Sequence, residues 1–384
     1  MRRLAPLLLL LLGLAAAAYF AFRPPTRPDN LNASVQSTPQ VIEGFARAEG
    51  PREFSFPADF GPHPDFQTEW WYYTGNLETA DGRHFGYQLT FFRRGLLPPA
   101  QLPPRGSQWA TGQVYMAHFT ITDVQTGDFY ATERFSRGAA GLAGAQGEPY
   151  AVWLEDWRVE ATGPDTFNLY AANEGLRLEL SLHDAKGPIL QGERGYSRKG
   201  EEPGNASYYY SQTRLVTQGR LTIGDETFEL SGLSWKDHEF STSVLTSEIA
   251  GWDWFSLQLD NGYELMLYQL RAADGSVLPR SSGTLVAPDG GTTQLFAGDF
   301  VLTPLSQWRS PHSSAEYPAS WRISLPAHNL KLEVTPYISD QELLHTFTYW
   351  EGAVRISGSQ GGQPVSGSGY VELTGYAEPF NGDF

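Results

Sequence analysis

Apolar and polar residues alternate along most of this chain. In HFGYQLTFFRR (84–94), Phe85, Tyr87, Leu89 and Phe91 fall at every second position, so they share one face of an extended strand. The preceding stretch EWWYYTGNLE (69–78) is joined to it by Ala80-Asp81-Gly82. Alternation across an Asp-Gly turn predicts a β-hairpin. The form recurs at 114–124 with 129–135, at 166–172 with 176–183, and at 214–223 with 227–235. A further strand is expected at 152–161. GWDWFSLQLDNGYELMLYQLR (251–271) turns at Asp260-Asn261-Gly262, and strands at 320–325, 330–335, 353–358 and 369–374 complete a second set. Only 339–345 carries a helical signal, with Ser339 and Glu342 placed as a capping box; a short turn fits it equally well.

Two segments share a plan. WYYTGNLETADGRHFGYQLTFFR and WFSLQLDNGYELMLYQLR each start at Trp, turn at a glycine (Gly82, Gly262) and return through alternating apolar residues to an arginine (Arg93, Arg271). This suggests a duplicated β unit. Many antiparallel strands without crossover helices predict an all-β fold, either sandwich or closed barrel. The expected division is a first β domain at 51–243 and a second at 244–384, after a Pro-, Asn-, Ser- and Gln-containing linker at 29–50.

Composition removes whole classes. A net charge of −16 argues against nucleic acid, which needs a basic face. With no cysteine there is no disulfide, thiolate metal site or cysteine nucleophile. The N-terminus begins with Arg2-Arg3, runs apolar from 4 to 22 and offers Ala16-Ala17-Ala18 for cleavage. Residues 1–28 therefore read as a signal peptide or as an uncleaved membrane anchor, and the protein as exported: periplasmic, secreted or held at the inner membrane.

The chemistry concentrates in SWKDHEF (234–240). On a strand, Lys236 and His238 point one way while Asp237 and Glu239 point the other, so Asp-His-Glu cannot converge on one metal ion. No G-x-S-x-G elbow occurs. Two readings remain for the cluster. It is a hydrogen-bonded junction between the β units, or it lines a pocket with Trp252, Trp254 and Tyr268. Trp71 and Tyr73 share a face of their strand and are expected to line a barrel lumen.

EWWYYTGNL, YYYSQTR, SWKDHEF and GWDWFSLQLDNGYELMLYQLR resemble the AttH-like and hydroxyneurosporene-synthase (carotenoid 1,2-hydratase) family, from about 54 to 376. The resemblance implies two lipocalin-like antiparallel β-barrels in tandem and a hydrophobic or lipid-like ligand. It further implies either association with an ABC transporter permease or a cofactor-free hydratase acting on an isoprenoid. Hydration needs an acid with a raised pKa in apolar surroundings. On that reading the candidates are Asp237 and Asp253 as acids, His238 to orient one of them and Tyr268 to hold water. Trp71, Tyr73, Trp252, Trp254 and Glu239 would bind the ligand, with no metal. This chain has Phe240 two positions after the histidine and Tyr268-Gln269-Leu270 where the hydratases carry an acid, a departure that favours the AttH-type branch.

Overall fold

The structure is a computed structural model that describes residues 42–104, 106–242 and 248–379. The expected signal or anchor at 1–28 and most of the linker lie outside the described residues. The described residues all fall within one compact unit. Among the described residues no helix is long and apolar enough to cross a membrane.

The chain is all-β, built as two antiparallel sheets. The first opens with a meander of β1 (Thr68–Glu78), β2 (His84–Gly95), β3 (Gln113–Asp123) and β4 (Asp128–Arg137). It continues through β5 (Ala143–Gln146), β6 (Ala151–Leu154), β7 (Trp157–Ala161), β8 (Thr166–Asn173) and β9 (Leu176–Asp184). The short β10 (Pro188–Leu190) and β11 (Tyr196–Arg198) both pair with β12 (Ala206–Ile223), and β13 (Glu226–Ser241) closes the set.

The second sheet holds β14 (Ile249–Leu259), β15 (Glu264–Ala272), β16 (Ser282–Val286), β17 (Thr292–Phe296) and β18 (Val301–Arg309). Then come β19 (Glu316–Leu325), β20 (Leu330–Pro336), β21 (Glu342–Leu344), β22 (Thr348–Gln360) and β23 (Gln363–Leu373).

The two sheets repeat one topology. In the first, the opening strand β1 pairs with the last strand β13, then β12 and β9 follow; in the second, β14 pairs with the last strand β23, then β22 and β20 follow. The expected duplication is thus visible in strand order. The first sheet curls until Arg134 on β4 ion-pairs with Asp156 beyond β6 and donates to the Ala172 carbonyl of β8 at 2.9 Å, giving a nearly closed barrel. The second remains a half-barrel.

Inside the first barrel pack Trp71, Tyr73, Tyr87, Leu89, Phe119, Trp157 and Leu180. Inside the second sheet pack Phe255, Leu257, Trp321, Ile323, Val334 and Val354. A third cluster, Tyr72, Tyr209, Trp235, Trp254, Met266, Tyr268 and Tyr370, lies between the sheets, where their outer faces meet. The approach is close: a Cβ on Gly86 would lie 2.5 Å from that of Ala353. Asn76 Nδ2 donates across it to the Gly369 carbonyl (2.9 Å), and Gln258 Nε2 to the Ser234 carbonyl (2.9 Å).

Three local expectations need correction. The 152–161 strand is two, β6 and β7, because Glu155 turns the chain at φ 57°. The 339–345 segment holds the short strand β21 and no helix; Glu342 makes no cap but accepts from Tyr317 (2.8 Å), Ser310 and Ser313. The strands β16, β17 and β18 were not expected; β18 is an exposed edge carrying Pro304, which weakens its alternation.

Candidate functional site

Strand β13 decides where the polar residues go. Lys236 and His238 sit on the face that β1 shares through Tyr73 and Trp71, inside the first barrel. Asp237 and Glu239 sit on the other face, toward the second sheet, as does Trp235.

On the barrel side, His238 stacks on Trp71 with centroids 5.0 Å apart, and its Nε2 meets Glu69 Oε1 at 2.8 Å. The same oxygen lies 2.8 Å from His63 Nδ1, whose Nε2 reaches Asp59 at 2.9 Å. Arg93 donates to the other Glu69 oxygen at 2.8 Å. Burial works to raise the Glu69 carboxyl, but Arg93, His238 and His63 hold it well below the usual range. Burial pushes His238 down to about 4 against its bond to Glu69. Burial also opposes protonation of His63, yet the carboxylates of Asp59 and Glu69 raise its pKa.

The ligand atoms of His63, Glu69 and His238 lie within 4.8 Å of one another, a grouping the sequence reading did not foresee. A divalent ion there would meet the Arg93 guanidinium and displace the proton favoured on His63, so the charge balance is already complete without it. The cluster instead pins the segment around His63 to the end of the barrel.

Lys236 is the other buried group of this side. Its Nζ lies 4.6 Å from the ring centroids of Phe60 and of Tyr150, and burial lowers its pKa to about 7 against the pull of Asp184.

The junction side holds carboxyls. Asp237 accepts from Tyr209 OH (2.6 Å), Ser211 Oγ (2.5 Å) and Trp235 Nε1 (2.7 Å), yet burial pushes it up to about 7. Facing it from the second sheet are two residues that the sequence reading missed, Glu351 on β22 and Glu372 on β23. They are directly opposite each other in the register. Tyr72 OH donates to Glu351 Oε1 at 2.5 Å, and Trp252 Nε1 to Glu372 Oε1 at 2.6 Å. Burial raises Glu372 to about 7, and burial together with the Glu372 charge raises Glu351 well above the carboxylate range. Glu351 Oε2 is buried without a hydrogen-bond partner. Opposite each other and buried, the two carboxyls disfavour each other's ionisation, so the pair holds a proton more readily than either glutamate would alone.

Aromatic groups enclose these acids. Trp254 Nε1 donates to Tyr209 OH at 3.1 Å, and Trp254 meets Tyr72 edge-on at 5.1 Å. Half-buried Trp70 and Trp252 pack against the same cluster. Glu239 lies nearby, 3.2 Å from Lys199 Nζ, which in turn sits 4.2 Å over the Tyr268 ring. Carboxyls with raised pKa values between aromatic faces can donate a proton to an apolar group and shelter a cation.

The structure thus gathers Asp237, Glu239, Trp252, Trp254 and Tyr268 at the junction. Trp71, Tyr73 and His238 are elsewhere, fully buried inside the first barrel, with Tyr73 OH on Tyr150 OH at 2.6 Å. His238 therefore orients neither aspartate. Asp253 is on the inner face of the second sheet, held by Arg271 (3.0 Å) and Tyr376 OH (2.9 Å), with burial raising its pKa. A groove of about 500 Å³ on the outer side of β7 to β9 is lined by Arg158, Glu160, Glu179, Arg220 and Glu229 and lies away from these carboxyls. One signal in the sequence pointed to the missed pair: Tyr349-Trp350-Glu351 and Tyr370-Val371-Glu372 repeat Tyr-x-Glu on paired strands.

Known proteins share this architecture. The crystal structure of a putative AttH from Nitrosomonas europaea is 34% identical, with 86% of this chain and 100% of that one covered and a TM-score of 0.77. Kievitone hydratase from Nectria haematococca is 14% identical over 86% of this chain and 97% of its own, at a TM-score of 0.64, and shares the fold. So does CghA, solved with Sch210972, at 12% identity, 88% and 97% coverage and a TM-score of 0.53. No curated protein matches the chain. The AttH-like family model matches residues 47–376, and the chain belongs to the AttH-like family.

Proposed function

We propose that the junction between the sheets binds an apolar, unsaturated small molecule and that the Glu351–Glu372 pair protonates it, as in a cofactor-free hydratase. The observation that carries this reading is the pairing itself. Like charges opposite each other on neighbouring strands destabilise a sheet, so two buried glutamates there are retained only with a proton between them. Glu351 gives its proton to one alkene carbon. The cation left on the other is faced by Trp254 and Tyr72, and water adds to it. The proton released from that water returns to the Glu372 carboxylate, so the sum is water across the double bond. The fold shared with kievitone hydratase is compatible with this chemistry.

The test is incubation of the protein with an acyclic isoprenoid polyene in ¹⁸O-labelled water, followed by mass spectrometry. Incorporation of one labelled oxygen, lost in Glu351→Gln and Glu372→Gln, is expected. Absence of any hydrated product across a panel of polyenes, with ligand still bound, overturns the catalytic part.

A second reading, a carrier without turnover, is favoured by the aromatic share of the junction, where Tyr72, Tyr209, Trp235, Trp254 and Tyr268 adjoin. Solvent extraction of the purified protein should then yield a bound lipid. On either reading we place the protein outside the cytoplasm, from Arg2-Arg3 and the apolar run at 4–22, with an ABC transporter permease as its expected partner. Recovery of a permease by pull-down from detergent-solubilised membranes tests that.

A further inference from the structure

The connection between β2 and β3, residues 95–112, reads GLLPPAQLPPRGSQWATG and contains no acidic residue, in a chain with 43 of them. It displays apolar side chains: Leu96 is 43% exposed, Leu97 37%, Leu102 40% and Trp109 61%. The loop is nonetheless anchored. Leu96 N–H donates to the Gly112 carbonyl (2.7 Å), Ala140 N–H to the Gln108 carbonyl (3.0 Å), and Leu102 Cδ2 covers Gly112 so closely that a Cβ there would lie 2.3 Å away. Glu43 borders it through a backbone carbonyl, 3.0 Å from Gln101 Nε2.

The adjoining sheet edge continues the surface. Arg94 and Arg137 share a register row through Val114. Exposed Phe135 lies two residues before Arg137 on edge strand β4. The turn after exposed Leu344 is tied to β4 by Thr346 N–H and Oγ1 on Glu133 (3.2 and 3.0 Å).

We propose that this end of the first barrel docks on a lipid bilayer, with Trp109 and the three leucines entering the headgroup boundary and Arg137 facing phosphate. Tryptophan and leucine beside arginine suit that boundary, whose outer part is wet and inner part apolar. A protein of net charge −16 is repelled by anionic lipid over most of its surface. A loop without carboxylates is the face that can approach. Exposed apolar groups gathered on one loop and rimmed by polar residues mark a site of interaction. The apolar run at 4–22, read as signal or anchor, brings the chain to a membrane in the first place.

The test uses the compact unit from residue 39 onward, which contains every described strand and removes the N-terminal apolar run. It should float with vesicles of phosphatidylethanolamine and phosphatidylglycerol. Trp109→Ser with Leu97→Ser should lower the bound fraction about tenfold with unchanged melting and elution volume. Trp109→Phe should still bind but lose part of the fluorescence quenching by brominated lipid. No flotation, equal flotation of the double variant, or a variant that changes oligomer size instead overturns the proposal; the last would make the patch a contact between copies.

Discussion

Glu351 and Glu372 face each other across neighbouring strands β22 and β23, each held by one donor from an aromatic side chain, Tyr72 OH at 2.5 Å and Trp252 Nε1 at 2.6 Å. Two carboxyls so placed cannot both ionise, and burial raises both pKa values. The pair joins the two sheets, because Tyr72 belongs to the first and Glu351 to the second.

Replacing Glu372 should change the pH dependence of stability. Its folded pKa is about 7, against about 4.3 for an unfolded glutamate, so the folded state keeps a proton that the unfolded state releases between those values. Its favourable contribution is complete below about pH 4 and is lost as pH rises through about 7. Glu372→Gln should flatten that decline and raise the melting temperature at pH 8 by about 2 °C or more, read by scanning calorimetry at several pH values. An unchanged slope counts against a shared proton.

Within the His63–Glu69–His238–Arg93 network, Glu69 and His238 have the opposite sign, whereas the raised His63 shares the sign of Glu372. Glu69 is held low and His238 is pushed down to about 4, so their contribution is present above the ordinary pKa values and is lost as pH falls. Glu69→Gln leaves Arg93, with 0% exposure, without its carboxylate. The expected cost at pH 7 is about 3–5 kcal/mol, measured by urea denaturation. The gap to the unaltered protein should shrink as pH drops below about 4.

Lys236 predicts a gain. Burial lowers its pKa to about 7 among aromatic rings, so at neutral pH the unfolded state binds its proton more tightly than the folded state does. Stability from this group rises as pH goes from about 7 to about 10.4. Lys236→Met, of similar length and apolar, should raise the melting temperature at pH 7 by about 2 °C and remove that alkaline rise. A loss of several degrees would mean the ammonium is held by its rings more strongly than burial opposes it.

The strands were legible because alternation and Gly-centred turns are local signals: Phe85, Tyr87, Leu89 and Phe91 do share the barrel interior. The split at Glu155 was not, since its positive φ is no property of the residue type. In the site, alternation along SWKDHEF correctly separated Asp237 from His238. It could not supply their partners. Glu69 reaches one face through the register of β1 on β13, and Glu351 and Glu372 reach the other through packing of the second sheet on the first, both joining residues far apart in the chain. The missing acid near Tyr268 pointed away from hydration, whereas the fold brings carboxyls to that neighbourhood from β22 and β23.

Strand β13 is a party wall. Its even-numbered residues Lys236, His238 and Phe240 furnish one room, and its odd-numbered Trp235, Asp237 and Glu239 furnish the next. A single inserted or deleted residue within it would exchange the furniture of both rooms at once. Point substitution can reshape either side alone, but length changes here should be lost to misfolding before any altered specificity could be seen.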